Sequence, residues 1–479
     1  MISNAERTPD TFIDDELILK LLEEAKTKAK DAKLVKAIID KARQYHGLSA
    51  DEVAVLLEVT DPKLKEEMFD VASDIKQAIY GTRVVLFAPL YVSNHCVNDC
   101  VYCGYRRSNP DQVRRKLTLE EIDKEVTILE SLGHKRLAME AGEDTLNCDI
   151  DYIVSAIKQV YSIKDGNGSI RRINVNIAAT IIDEYKKLIE AEIGTYILFQ
   201  ETYHRPTYDT MHPSGPKRDY NWHTTAMDRA MKAGIDDVGI GVLYGLYDYK
   251  YETVAMFLHA QHLEDTFGVG PHTISVPRMR AASNVDLDKF PHLITDEQFK
   301  SIVAIIRLAV PYTGLILSTR ETAETRDELI KYGVSQVSAG SCTGVGGYQL
   351  VHAEGGCDEA ELAKGIQFKT TDNRTIDEMV AMLCGQGFVP SFCTACYRQG
   401  RTGDRFMSLA KTGEIQKVCL PNALLTFKEY LVDYASPETK TLGEKTIQDH
   451  LATIGEDTLR AETAKRLDDI DHGIRDLFF

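Results

Sequence analysis

"VVLFAPLYVSNHCVNDCVYCGYRR", residues 84–107, joins a run of aliphatic, β-branched and aromatic residues to three cysteines, Cys96, Cys100 and Cys103. The apolar run has the length and composition of a buried strand. Three thiols within eight positions directly after it call for a soft metal, a disulfide partner or a reducing setting. In parallel α/β folds the functional loops follow the strand C-termini, so this stretch reads as one strand and its site loop.

The same pattern recurs downstream. RLAMEAG (136–142), INVNIA (173–178), TYILFQET (195–202), DVGIGVL (237–243), HTISVPR (272–278), GLILSTRE (314–321) and SQVSAG (335–340) read as strands. Between them lie helical stretches such as TLEEIDKEVTILESLG and DEQFKSIVAIIRLAV. Eight strands alternating with helices predict an α/β fold, a (β/α)8 TIM barrel over residues 81–340, with a doubly wound open sheet as the alternative. Residues 1–80 read as an N-terminal helical extension in which Ser49 is placed as an N-cap. Residues 341–479 read as a mainly helical C-terminal domain with a Gly-rich loop and a second cysteine group, closed by charged amphipathic helices.

Ten cysteines in 479 residues are too sparse for a disulfide scaffold. No long apolar run and no secretory pattern at the start are evident, so a cytoplasmic, membrane-free protein is expected, and the clustered thiols turn towards metal. A formal charge of −17 repels phosphate backbones and argues against a nucleic-acid partner.

Three thiolates from one C-x3-C-x2-C loop can each hold one iron of a 4Fe–4S cubane and leave the fourth iron open. Such an iron can chelate the amino and carboxylate groups of S-adenosylmethionine, and Tyr102 suits packing against the adenine. A structural zinc completed by His95 or a distant cysteine is the alternative. Residues 96–103 resemble the signature of the radical SAM superfamily, which reductively cleaves S-adenosylmethionine to methionine and a 5′-deoxyadenosyl radical. The resemblance implies a barrel of the radical SAM type.

The second group, Cys393, Cys396 and Cys419, is spaced C-x2-C-x22-C and by itself suits zinc as well as a cluster. Together with QETY, PHTISVPR, LSTRE and CTACYR…GDRFM in this order, it makes nearly the whole chain resemble the radical SAM tyrosine lyases of FeFe-hydrogenase maturation. That resemblance implies an auxiliary 4Fe–4S cluster on these three cysteines and an additional iron held by His272, with a free cysteine molecule as a candidate co-ligand. It further implies anaerobic cleavage of L-tyrosine to p-cresol and dehydroglycine, which yields carbon monoxide and cyanide on iron for the hydrogenase active site. The implied partners are a reduced ferredoxin- or flavodoxin-type electron donor and the other hydrogenase maturation proteins.

A zwitterionic amino acid in a dry barrel needs a planar cation for its carboxylate. Arg320 has that donor geometry, with Ser338 and Ser341 as neutral hydrogen-bonding groups; a rim ion pair with Glu321 or Glu324 is the plainer role for Arg320. Gly142, Glu143 and Asp144 resemble the stretch that receives the methionyl ammonium, Glu201 and Arg205 are candidates for the ribose or sulfonium side, and Gly241 for backbone contact with the adenine. Cys148, Cys342, Cys357 and Cys384 read as small buried hydrophobes. Two rival functions stand beside this one: the thiamine-pathway 2-iminoacetate synthases, which lack the second triplet, and a non-catalytic iron–sulfur carrier.

Overall fold

The computed structural model describes residues 9–353 and 365–479. Eight parallel strands form its centre: β1 (Arg83–Ser93), β2 (Arg136–Ala141), β3 (Arg172–Asn176), β4 (Tyr196–Ile197), β5 (Val238–Gly241), β6 (Thr273–Ser275), β7 (Gly314–Leu317) and β8 (Gln336–Ser338). They pair in the order β2 to β8 and then β1, and a β1–β2 pairing closes the ring, which excludes the open sheet. Helices lie outside each step. Leu119–Ser131, for example, starts on a capping box of Thr118 and Glu121 and buries Ile122, Val126 and Leu129 at helical spacing.

Several strands are shorter than their apolar runs. In TYILFQET only Tyr196 and Ile197 are ladder-paired, because β3 offers a single partner, Val175, on one side. The segment nevertheless continues beside β5, with Leu198 and Gln200 donating to the carbonyls of Gly239 and Gly241 and the carbonyl of Glu201, at φ +69°, accepting the Leu243 N–H at 2.9 Å. A non-glycine residue in that region is strained and marks a place where tertiary contacts dictate the backbone.

The N-terminal extension forms helices Asp15–Lys28, Ala32–Ala42, Ala50–Leu57 and Pro62–Tyr80, which pack on the barrel helices Tyr249–Phe267 and Asp296–Ala309. Ser49 occupies its expected cap and donates its backbone N–H to Glu52 at 2.8 Å. Among the described residues no helix is long and apolar enough to cross a membrane.

A ninth strand, β9 (Val389–Ser391), escaped the sequence pattern because it has three residues with a proline in the middle. It pairs with the first residues of β1, Arg83 to Val85, whereas β2 pairs only from Ala88 upwards. Below Ala88 the barrel wall is therefore split, and the C-terminal segment fills the gap. Arg136 at the foot of β2 spans it by donating to the carbonyl of Cys393 at 2.7 Å.

The C-terminal helices Ile415–Asp433, Pro437–Leu451 and Asp457–Asp471 cover this end. Glu429, fully buried, anchors them by meeting Arg171 at 2.8 Å and Lys135 at 3.3 Å. Glu429→Gln leaves buried Lys135 without its counter-charge and Arg171 with Asp476 alone at 3.0 Å, so chemical denaturation should show a loss of about 3 kcal/mol with an unchanged m-value.

Candidate functional site

Cys96, Cys100 and Cys103 follow the top of β1 and line one wall of an upper cavity. The loop is held from both flanks. Asn94 donates to the carbonyls of Val113 (2.8 Å, side chain) and its backbone N–H to that of Arg115 (3.0 Å), while the Val97 N–H reaches the carbonyl of Glu143 (2.8 Å). Gly142 permits the second contact: a Cβ there would stand 2.3 Å from the carbonyl oxygen of His95. Its glycine requirement thus comes from the cysteine loop itself.

Burial raises all three thiols, Cys103 to about 11. Loading them with metal must release protons. The donor set, three thiols and no fourth cysteine on the cavity wall, fits an iron–sulfur cube with one corner open.

Glu143, Glu201 and Lys217 line the same cavity. Asn98, within the cysteine loop, ties this wall together: its amide donates to Glu143 Oε2 at 2.5 Å and its Oδ1 accepts the Lys217 N–H at 2.9 Å. Lys217 Nζ then reaches Glu201 Oε1 at 2.9 Å. Burial opposes its charge, yet the Glu201 carboxylate outweighs this and holds the ammonium on. Asn98 and Lys217 were missed in the sequence, since only the fold brings the 212–219 segment against the cysteine loop. The Tyr102 ring lines the cavity, and its hydroxyl donates to His212 Nε2 at 2.8 Å because Nδ1 is spent on the Tyr208 carbonyl.

Three expected contacts lie elsewhere. Asp144 turns its carboxylate onto its own turn, accepting from the N–H groups of Leu146 and Asn147 at 3.0 Å. Arg205 faces outward, where it pairs with Asp10 at 2.6 Å and covers the Tyr220 ring. Gly241 is packed inside the barrel wall; a Cβ would meet the Phe199 ring and the Ser275 carbonyl at 2.8 Å. In each case local packing, invisible in the sequence, has claimed the residue.

Below the thiols the cavity continues into the bore. Arg320, Glu140, Asn176 and Phe368 line both the upper cavity and the chamber beneath it, and Ser338 and Ser341 line the chamber. Glu321 is taken by Arg278 (2.5 Å) and Arg280 (2.6 Å), and Arg320 makes no ion pair among the described residues. Instead its guanidinium lies 3.5 Å over the Phe368 ring. Burial pulls it below its ordinary value, and the Ser341 hydroxyl beside it is buried without a partner. Glu140, also missed in the sequence, is pushed up to about 8 by burial, against the pull of Arg320 and Asn176. A TIM barrel is ordinarily filled by Val, Ile and Leu; this one carries Asn174, Ser275 and Ser318 in the same chamber.

Beyond the chamber a lower cavity gathers Cys393, Cys396, Cys419 and His272 with Arg83, Arg136 and Arg401. The thiols of Cys396 and Cys419 hydrogen-bond each other, and that bond, with Arg401 beside it, lowers Cys396. Burial lowers His272, whose Nδ1 lies 3.5 Å from Asp237. Cys148 and Cys384 are buried, Cys342 is half-buried, and Cys357 lies outside the described residues.

Residues 90–260 match the Radical SAM superfamily, and residues 275–389 match the Biotin and Thiamin Synthesis associated domain. A thiol triplet at the strand ends of a closed barrel and these matches define a radical SAM enzyme, a class that uses a 4Fe–4S cluster and S-adenosylmethionine. The 2-iminoacetate synthase of Escherichia coli is 30% identical over 361 residues, which are 74% of this chain and 89% of that enzyme. A crystal structure of HydG, a maturase of the FeFe-hydrogenase, superposes with a TM-score of 0.93 at 60% identity, covering 98% of this chain and all of that one. HydG from Carboxydothermus hydrogenoformans gives 0.82 at 37% identity, covering 96% and 100%. The chain belongs to the HydG/ThiH family of radical SAM enzymes.

Glu140 supplies a pH test of the bore. Its folded value near 8 exceeds the unfolded 4.5, so the native state keeps a proton that the unfolded chain loses, and stability falls as pH rises through that window. Glu140→Gln should flatten the dependence by at most about 1.4 kcal/mol per pH unit between those values, measured by urea denaturation of the metal-free protein.

Proposed function

We propose that this enzyme cleaves L-tyrosine to p-cresol and dehydroglycine at the upper end of the bore and converts dehydroglycine to carbon monoxide and cyanide at the lower end. The product is an iron-bound unit for the FeFe-hydrogenase active site. The observation that carries the reading is the pair of cysteine triplets lining cavities at opposite ends of the barrel, with a polar chamber and an uncommitted guanidinium between them.

In this reading Cys96, Cys100 and Cys103 hold the first cluster. Tyr102, Gly142, Glu143 and Glu201 surround S-adenosylmethionine, joined by Asn98 and Lys217; Asp144, Arg205 and Gly241 are not part of that set. When bound, the cluster and S-adenosylmethionine supply the reducing electron and the hydrogen-abstracting radical. Arg320 takes the tyrosine carboxylate as a two-pronged partner, already oriented by its stack on Phe368, while Ser338 and Ser341 offer neutral donors. Glu140, protonated at neutral pH, adds no negative charge beside that carboxylate. Cys393, Cys396, Cys419 and His272 hold the auxiliary cluster and its additional iron, among arginines that favour small anions. Dehydroglycine passes between the sites without release, along a bore of about 20–25 Å.

Anaerobic reconstitution with iron and sulfide, followed by assay of p-cresol, cyanide and carbon monoxide from tyrosine, tests the whole sequence. Tyrosine-dependent p-cresol without cyanide would instead indicate the 2-iminoacetate synthase reaction. Arg320→Met should lower kcat/KM for tyrosine about 100-fold, the worth of a charged hydrogen-bonded pair. Ser335→Phe, which lines the lower cavity and not the chamber of Arg320, should abolish cyanide while sparing p-cresol; equal loss of both would remove the passage.

A further inference from the structure

The lower cavity holds a contact that the proposed reaction leaves unused. His272 is fixed at the foot of β6 through its backbone, whose N–H donates to the Val238 carbonyl at 2.9 Å and whose carbonyl accepts the Gly314 N–H at 2.9 Å. The first of these bonds brings Asp237, the residue before Val238, beside the imidazole, with Oδ1 3.5 Å from Nδ1. Both side chains are buried. Phe406, whose ring centre lies 4.5 Å from that of the imidazole, limits how far the ring can turn away.

Two atoms of this pair are unsatisfied. Nδ1 of His272 and Oδ2 of Asp237 are each shut off from solvent and make no hydrogen bond among the described residues. Unsatisfied atoms on adjoining buried side chains call for an explanation, since such atoms are ordinarily paired. The neighbouring acid offers no alternative, because Asp236 is spent on the Thr402 hydroxyl at 2.7 Å.

Asp237 is also tied to the C-terminal segment. Its Oδ1 accepts the Gly403 N–H at 3.1 Å, at the start of the helix Gly403–Lys411 that carries Phe406. A Cβ at Gly403, which has φ +51°, would stand 2.8 Å from the Asp236 Cβ, so glycine is what lets the segment come this close. The stretch that bears Cys393 and Cys396 thus ends on the carboxylate beside His272.

We propose that Asp237 is the positioning residue of the iron-binding histidine: it accepts a hydrogen bond from the Nδ1–H of His272, holds the imidazole in the Nδ1-protonated tautomer and leaves the lone pair on Nε2 for the metal. The inference rests on the reading of His272 as a ligand to the additional iron. An imidazole binds a metal through the nitrogen that carries no proton, and which nitrogen that is depends on the bond made by the other. The separation of 3.5 Å exceeds a usual N–H···O bond by about 0.6 Å, which a small tilt of the ring closes. A carboxylate behind the ring also makes Nε2 more basic and strengthens its hold on iron. Because the same oxygen takes the Gly403 N–H, the docked cysteine segment and the oriented ligand share one anchor.

Two measurements test this. In the full-length metal-free protein with its histidine nitrogens isotope-labelled, magnetic resonance reads the tautomer of His272, whose signals are those missing from His272→Ala. The wild type should carry its proton on Nδ1, and Asp237→Ala should lose that preference. In protein reconstituted with both clusters, ferrous iron is titrated against a coloured chelator to give the affinity for iron beyond the clusters. Asp237→Ala should weaken it about 10- to 100-fold, with cluster iron and sulfide unchanged, and His272→Ala should remove it. A wild-type protein protonated on Nε2 overturns the proposal whatever the variants do. So does an Asp237→Ala variant that keeps the wild-type tautomer, or one that keeps the wild-type iron affinity while His272→Ala loses it. If His272→Ala also keeps the additional iron, the ligand reading fails instead, and the tautomer alone judges Asp237.

Discussion

A strand can hydrogen-bond one neighbour on each edge at each height, and β1 uses this limit to build both ends of the molecule. One edge is bonded to β8 near its foot; the other is bonded to β2 above Ala88 and to β9 below Val85. Were β2 to extend downward along β1, β9 would have no edge to join, and Cys393 would lie outside the wall. The part of β1 above Val85 then sets the separation of the two cysteine groups, since Cys96 follows the top of β1 and Cys393 comes two residues after Ser391, the partner of Val85. Pro89 is tolerated within this strand because pairing with β8 ends at Phe87, and its own carbonyl accepts the Tyr348 hydroxyl at 2.9 Å.

The bore is built at the expense of ordinary barrel packing. Buried polar groups left without partners each cost about 1–3 kcal/mol, and the Ser341 hydroxyl, one oxygen of Asp237, a ring nitrogen of His272 and the Thr273 hydroxyl are all of this kind. The outer layer offsets them: helices on every side bury a continuous apolar shell that includes Ile302, Val303, Leu315 and Leu329. Charge follows the same division. Ion pairs such as Arg171 with Glu429 hold the periphery, whereas Arg320 is kept from Glu321 by Arg278 and Arg280 and stays available to a ligand.

Much of this was legible along the chain. The alternation of apolar runs and amphipathic stretches located every barrel strand, since burial on both faces leaves a continuous apolar signature. Arg320, Ser338 and Ser341 stood out as candidates because they are polar residues at or just past the ends of such runs, and they line the chamber. Lys217, Asn98 and Glu140 were not: a lysine in a proline-rich loop, an asparagine between cysteines and a glutamate inside a strand carry no local pattern. Their meaning comes from what other segments bring opposite them. Asp144, Arg205 and Gly241 are placed by the converse effect, because a turn, an outward helix start and a crowded strand wall engage them.

By itself the sequence determined the parallel barrel, the two thiol groups and their spacing, because hydrophobic periodicity and ligand spacing are local properties of the chain. The tertiary structure alone decided that the second group lines a cavity at the opposite end of the same barrel from the first, through a three-residue strand whose pairing depends on a gap left by another strand. It also decided which charged groups are cancelled and which remain open. Both are outcomes of competition between segments hundreds of residues apart, which no stretch of sequence can register.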